Sequence, residues 1–347
     1  MSFQFSVFSF QFSVLTSLRA APFSFQFSVF VLSFLIFIQS CGKHPEIPIT
    51  ISRLEKSLFA IPVDSIEAHV SKLQQQYGTL LDKMSLELGI QMPDHDEYAE
   101  DLARFITYPD MVVTFQKVMA VFPDLRDIES GFGRAFFNYE KEFPDRTIPE
   151  LYTLISGFNS KWIVTDEYMA IALDHYLGSD EDIYGMLMLP NYERRLRDKK
   201  YIVPQSVNAW LTTEFPFNDS INTVLNNILY HGKLMYAMHQ LLPCTPDSIL
   251  FGFTPAQMRW CGNNSTQMWT HLVENRLLFA SDQFTINKFV GPAPFTSTFT
   301  RESPGRAAVW LGYKIVASYM KREKVSLQEL MLTEDYQQIL QKAKFRP

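Results

Sequence analysis

The sequence predicts an α+β fold, predominantly helical, with a small sheet packed against the helices. Helix-start chemistry recurs along the chain, each time ahead of apolar residues at helical spacing. One segment, from Asp219 to Pro243, keeps that spacing over several turns. Only Leu151–Ile155 and Tyr168–Leu173 depart from it, as short apolar runs bounded by Gly, Asn and Asp, which is how strands read.

The first forty residues stand apart. SFQFSVF occurs at 2–8 and again at 24–30, with SFQFSVL at 9–15, so this stretch is a low-complexity tract and enters no argument about the fold. Within it, Phe23 to Ile38 is almost wholly apolar, is preceded by the single positive charge of Arg19, and is short for a membrane span. Ile38-Gln39-Ser40-Cys41 follows and resembles a lipobox, in which a small residue before the cysteine admits the signal peptidase. Residues 1–40 are therefore expected to be a signal peptide and Cys41 to carry lipid. Residues 41–48, with two prolines, read as a tether, and 49–347 as one helix-rich domain.

Along that domain the helix signals come in order. Asp94 and Glu97 precede an apolar face at Tyr98, Leu102, Phe105 and Ile106. The two strand-like runs follow, expected to pair with each other. Asp219 to Pro243 then reads as a central buried helix with Gly232 inside it, where glycine costs about 1 kcal/mol relative to alanine, so another element should approach closely. Thr254-Pro255 with Gln257, Ser303-Pro304, and Ser326 with Glu329 read as caps, and Thr333 as the start of the last helix.

Composition narrows the function. Hydrophobic residues at 47% and charged ones at 20% describe a folded chain, and Lys+Arg 31 against Asp+Glu 37 leaves no basic field for a nucleic acid. The chain contains no H-E-x-x-H, no G-x-S-x-G and no phosphate loop. His231 and His239 are two helical turns apart, too far to share one ion. No metal or cofactor is expected. Cys244 and Cys261 are compatible with a disulfide or with two separate thiols. Asn159, Asp174 and His175 at the strand ends could be binding groups or simply turn residues. Arg306 could reach an anion across a groove or pair with a carboxylate such as Glu274 or Asp174.

ISGFN at 155–159, LDHYLG at 173–178, YHGKLMY at 230–236, WC at 260–261, APFT at 293–296 and SPGR at 303–306 together resemble the gliding-motility lipoprotein GldB family of the Bacteroidetes. That family is similar to a group of predicted zinc peptidases, so the resemblance implies a zincin-like scaffold. It lays the lost metal-binding register on Tyr230, His231 and Leu234, where neither ligands nor base remain. What it implies is a non-enzymatic envelope lipoprotein for gliding and its associated secretion machinery, held to the bilayer by Cys41. The absence of an acidic run after Cys41 points to the periplasmic side. An unrecognised hydrolytic site is the alternative. The working surface would be a groove between central helix and sheet, formed by Gly157, Asn159, Asp174, His231, Gly232, Lys233 and Arg306.

Overall fold

The computed structural model describes residues 45–347; the repeats, the signal segment and Cys41 lie outside the described residues. Part of the expected tether belongs to the fold. Ile47 donates its N–H to the Gly133 carbonyl at 3.2 Å, and Ile47 and Ile49 pack on the core. A side chain at Gly133 would meet the Ile47 carbonyl oxygen at 2.5 Å, which is why glycine stands there.

Four strands, β1 (Ile51–Arg53), β2 (Glu150–Leu154), β3 (Trp162–Val164) and β4 (Tyr168–Ala172), form one sheet in the order β1-β2-β4-β3. The first three in that order run parallel, and β3 runs antiparallel along the edge. The expected pairing of the two apolar runs is present, with Leu151 opposite Met169 and Thr153 opposite Ile171. β1 and β3 have three residues each, too few to show an alternation, and were not legible as strands.

Every residue of β4 is buried because both faces of the sheet are covered. Successive side chains point to opposite faces. Met169 and Ile171 join the larger core, while Tyr168, Ala170 and Ala172 join a second cluster. The second cluster is supplied by α1 (Leu54–Phe59), α2 (Ile66–Tyr77), α3 (Thr79–Leu88) and α4 (Tyr98–Thr107). On the other face lie α5 (Pro109–Val121), α6 (Arg126–Glu142) and α7 (Ile202–Glu214), followed by α8 (Val224–Leu241) and the C-terminal helices.

α8 is the central helix, and it is shorter than its periodicity suggested. Thr223 caps it by accepting the Asn226 N–H at 3.2 Å; residues 219–221 form a separate turn that leaves Ile221 exposed. Gly232 meets the backbone of α12 (Ala307–Glu323), as a buried glycine predicts. A Cβ on Gly232 would lie 2.3 Å from the Gly312 carbonyl carbon, and one on Gly312 would lie 2.0 Å from the Ile228 carbonyl oxygen. Each helix has a glycine because the other is there.

The caps divide. Thr254 with Gln257 starts α9 (Pro255–Asn263), which α10 (Ser265–Glu274) follows, and Ser326 with Glu329 starts α13 (Leu327–Leu332), both starts being full capping boxes. Ser303-Pro304 caps nothing. Ser303 is buried and donates to the Thr300 carbonyl, the chain passes through a left-handed Arg306, and the first amide of α12, on Ala307, donates to Thr296 Oγ1. α14 (Tyr336–Ala343) is capped by Asp335 rather than Thr333. Asp94 makes no cap on α4, and Glu97 occupies that position without a side-chain bond. The disulfide left open between Cys244 and Cys261 is not formed; Cys261 is a buried thiol pushed up to about 12 by burial.

Gly232→Ala and Gly312→Ala should each lower the unfolding free energy in urea by about 3 kcal/mol, since backbone sits where the methyl must go. Gly262→Ala in α9, with no atom within 4 Å, should instead stabilise by a few tenths to about 1 kcal/mol. Small, equal effects at all three positions would show that α8 and α12 separate freely.

Candidate functional site at the ends of the parallel strands

β2 and β4 end side by side, and the chain leaves each through a tight turn. Gly157 and Phe158 both take left-handed backbone with φ of +63°, a conformation that costs a non-glycine residue about 1 kcal/mol. That geometry turns two amides onto one carboxylate. Asp174, fully buried, accepts the N–H of Phe158 at 2.7 Å, the N–H of Ser156 at 3.2 Å and the Ser156 hydroxyl at 3.3 Å. Burial pushes its carboxyl up to about 6, against the pull of these donors. The main-chain carbonyl of Asp174 accepts the Tyr184 hydroxyl at 2.8 Å, so this residue ties the strand ends to the following helices from both its ends.

His175 extends the chain of bonds. Its Nε2 lies 3.2 Å from Ser156 Oγ, and its Nδ1 is hydrogen-bonded to Arg197 Nη1. An arginine only donates, so Nδ1 must be the acceptor and the imidazole proton sits on Nε2. Protons therefore point one way through the cluster: Arg197 to His175, His175 to Ser156, Ser156 to Asp174. Burial, then the charges of Arg197 and Lys161, hold His175 down to about 3 and keep it neutral. In a nucleophilic serine dyad the histidine must accept the serine proton. Here it donates instead.

Of the expected groove, Gly157 and Asp174 do meet, and His175, read separately as a strand-end binding group or turn residue, lies with them. Asn159 is exposed and donates to the Glu87 carbonyl at 3.0 Å, fastening the loop to α3. The residues of α8 are elsewhere. The helix lying on the sheet is α7, whose Ser206 accepts the indole N–H of Trp162 in β3 at 3.0 Å and whose Gln205 accepts the Tyr176 hydroxyl at 2.9 Å. Gly232 is filled by α12. Lys233 is 2% exposed and donates to the Met331 and Thr333 carbonyls at 3.0 and 2.7 Å, closing the end of α13. Burial lowers its ammonium to about 8. Arg306 pairs with neither Glu274 nor Asp174; its Nε donates to the Val290 carbonyl at 3.0 Å, at the end of α11 (Gln283–Val290). His231, beside Arg306, is held down to about 3 by burial first and by that charge second. The seven residues thus do not form one groove, because α8 is wrapped by helices rather than laid on the strands. An open cavity of about 350 Å³ lies instead between Asn218, Ser220 and Asn226 at the start of α8 and Glu334, Asp335 and Gln337 before α14.

A family model described as "Gliding motility protein GldB" matches residues 40–347. The chain belongs to that family. It is a family of gliding-motility lipoproteins, and the match begins one residue before Cys41, where lipid anchoring is expected. No curated protein and no solved structure matches the chain. Among the described residues no helix is long and apolar enough to cross a membrane, and no three His, Cys, Asp or Glu side chains are grouped to hold a metal ion.

Ser156, Lys161, Tyr184 and Arg197 were missed from sequence. Arg197 sits in a run with Arg194, Arg195, Asp198, Lys199 and Lys200 that reads as a solvated charge cluster, and nothing in the string marks it as the buried member.

The buried groups fix the acid response. His175 and His231 have folded values far below those of the open chain, so their contribution to stability is present above about pH 6.5 and is lost as pH falls toward 3. Asp174 acts oppositely, its contribution being present below about 4 and lost as pH rises through about 6. Two histidines outweigh one aspartate, so the melting temperature should fall from pH 6.5 to 4. His231→Asn should flatten that fall. An unchanged slope in the variant would show that His231 titrates normally in the folded protein.

Proposed function

We propose that the protein is a non-enzymatic envelope lipoprotein that supports gliding motility and the associated secretion machinery. It is anchored through acylated Cys41, faces the periplasm and works by binding. Family membership supplies the gliding role. The observation that carries the non-enzymatic reading is the proton order at the strand ends: with Arg197 donating to His175 Nδ1, the imidazole cannot take the Ser156 proton, and Ser156 serves to hold Asp174. The scaffold is read as zincin-like with its chemistry lost. In support, the side chains at the register of the missing motif have other work. The Tyr230 hydroxyl donates to the Phe215 carbonyl at 3.0 Å, and Leu234 is buried in the core. No cofactor enters this reading.

The Ser156–His175 contact is the one observation that favours a hydrolase, and a single pair of variants separates the readings. Cys41→Ala should lose labelling by a fatty-acid analogue and fail to restore spreading in a host lacking the gene. Ser156→Ala should keep both, with stability lowered by about 1 kcal/mol for the lost hydrogen bond. Loss of spreading in a stably folded Ser156→Ala would overturn the binding role in favour of catalysis, and equal labelling of Cys41→Ala would remove the lipid anchor.

A further inference from the structure

The strand-end cluster holds more positive charge than it neutralises. Arg197 is 3% exposed, yet among the described residues no carboxylate hydrogen-bonds to it. Its nearest acid, Glu193, stands 3.9 Å from Nη2, outside hydrogen-bond reach, and Nε is buried with no partner. Nε and Nη2 together are the edge with which a guanidinium grips two parallel oxygens. That edge is empty. The Tyr184 ring, 5.6 Å from the guanidinium carbon, supports the group without filling it.

Lys161 brings a second cation to the same place. It precedes β3, its carbonyl accepts the Ala172 N–H at 2.9 Å at the end of β4, and its Nζ lies over the Trp162 ring at 5.5 Å. Among the described residues Nζ has neither a hydrogen bond nor an ion pair. Burial, then the Arg197 charge, lowers its ammonium to about 8, and the charges of both cations reach His175. Asp174 is not their counter-ion, since its oxygens are committed to Ser156 and Phe158 and the imidazole stands between it and Arg197. Arg197, buried, and Lys161, partly exposed, against Glu193 leave one charge over. A buried cation such as Arg197 is ordinarily paired and hydrogen-bonded, and the ends of parallel strands are where open sheets receive ligands.

We propose that Arg197 and Lys161 form a carboxylate-binding site at the ends of β2 and β4, taking a single carboxylate on the guanidinium edge formed by Nε and Nη2. It rests on the reading that this site binds rather than cleaves. One carboxylate matches both the two-oxygen edge and the single uncompensated charge, whereas a phosphate dianion would face Glu193 and Asp174 with one charge too many. Glu193, 33% exposed on its side chain, competes for the same nitrogen and gives way when the ligand enters.

The test uses the full chain in detergent micelles at pH 7 and constant ionic strength, with sodium acetate as probe and sodium chloride as control. Melting temperature and acylation of Lys161 by an amine-reactive reagent, read by peptide mass spectrometry, are followed together. Acetate should raise the melting temperature saturably and cut Lys161 labelling at least tenfold, while chloride does neither. Lys161→Gln, at a partly exposed position, should stay folded by near-ultraviolet circular dichroism and lose the acetate response. Glu193→Gln should reach half-saturation at about tenfold less acetate. A short peptide with a free C-terminus protecting Lys161 better than its amidated form would place the carboxylate at a chain end, and the reverse, with an internal Glu, on a side chain. Equal effects of acetate and chloride, equal protection by inorganic phosphate, or an acetate response that survives in folded Lys161→Gln would overturn the proposal. None of these outcomes touches the spreading phenotype of Cys41→Ala, so the two readings fail separately.

Discussion

The crossing of α8 and α12 at Gly232 and Gly312 is the contact on which the larger half of the domain depends. Neither position has room for a side chain, so the two backbones touch and α8 is fixed in depth and rotation. Almost every other residue of α8 is then committed to a neighbour, with Ile228, Leu229, Leu234 and Met238 all buried. α6 and α7 pack against what α8 presents, and α7 carries the constraint to the sheet through Ser206 and Trp162. Close-packed interiors do not yield gradually. A shift at the glycines would therefore reach the strand ends.

The strand ends solve a different problem, that of a carboxylate with no water. Asp174 is placed where the left-handed turn at Gly157 and Phe158 brings the amides of Ser156 and Phe158 onto it, and the backbone strain of Phe158 is offset by the hydrogen bonds it permits. The same arrangement decides what the site can do. A serine and a histidine at contact distance invite a catalytic reading, but the direction of proton donation is set by Arg197 on the far side of the ring. Chemistry at such a pair is governed by the group behind the histidine, and here that group is a cation.

How much of this was legible in sequence depended on length and locality. β2 and β4 were readable because five residues suffice to show a bounded apolar run, whereas β1 and β3 are defined by pairing with strands distant in sequence. Capping boxes at Thr254 and Ser326 were readable because both partners lie within four residues. The cap of α12 was not, because its oxygen comes from Thr296, eleven residues away. Gly232 announced a close approach but not by what. The site was the least legible part. Asp174 and His175 lie at strand ends where function is expected, yet Arg197 looks like its charged neighbours, and Lys233 and Arg306, which look like binding cations, spend their donors on the carbonyls that end α13 and α11.

Lys233 has a consequence for the order in which the chain assembles. Its acceptors, Met331 and Thr333, lie about a hundred residues further on, and its ammonium also sits 5.2 Å from the Tyr336 ring. Until that last stretch arrives, the middle of α8 contains a charge with nowhere to go, and the helix cannot settle into an apolar interior around it. β1 waits in the same way for β2, with Ile51 opposite Leu151. Both closures are long-range, the kind that forms late and slowly. The domain is thus latched at its two ends, and its interior becomes dry only when the C-terminal helices fold over Lys233.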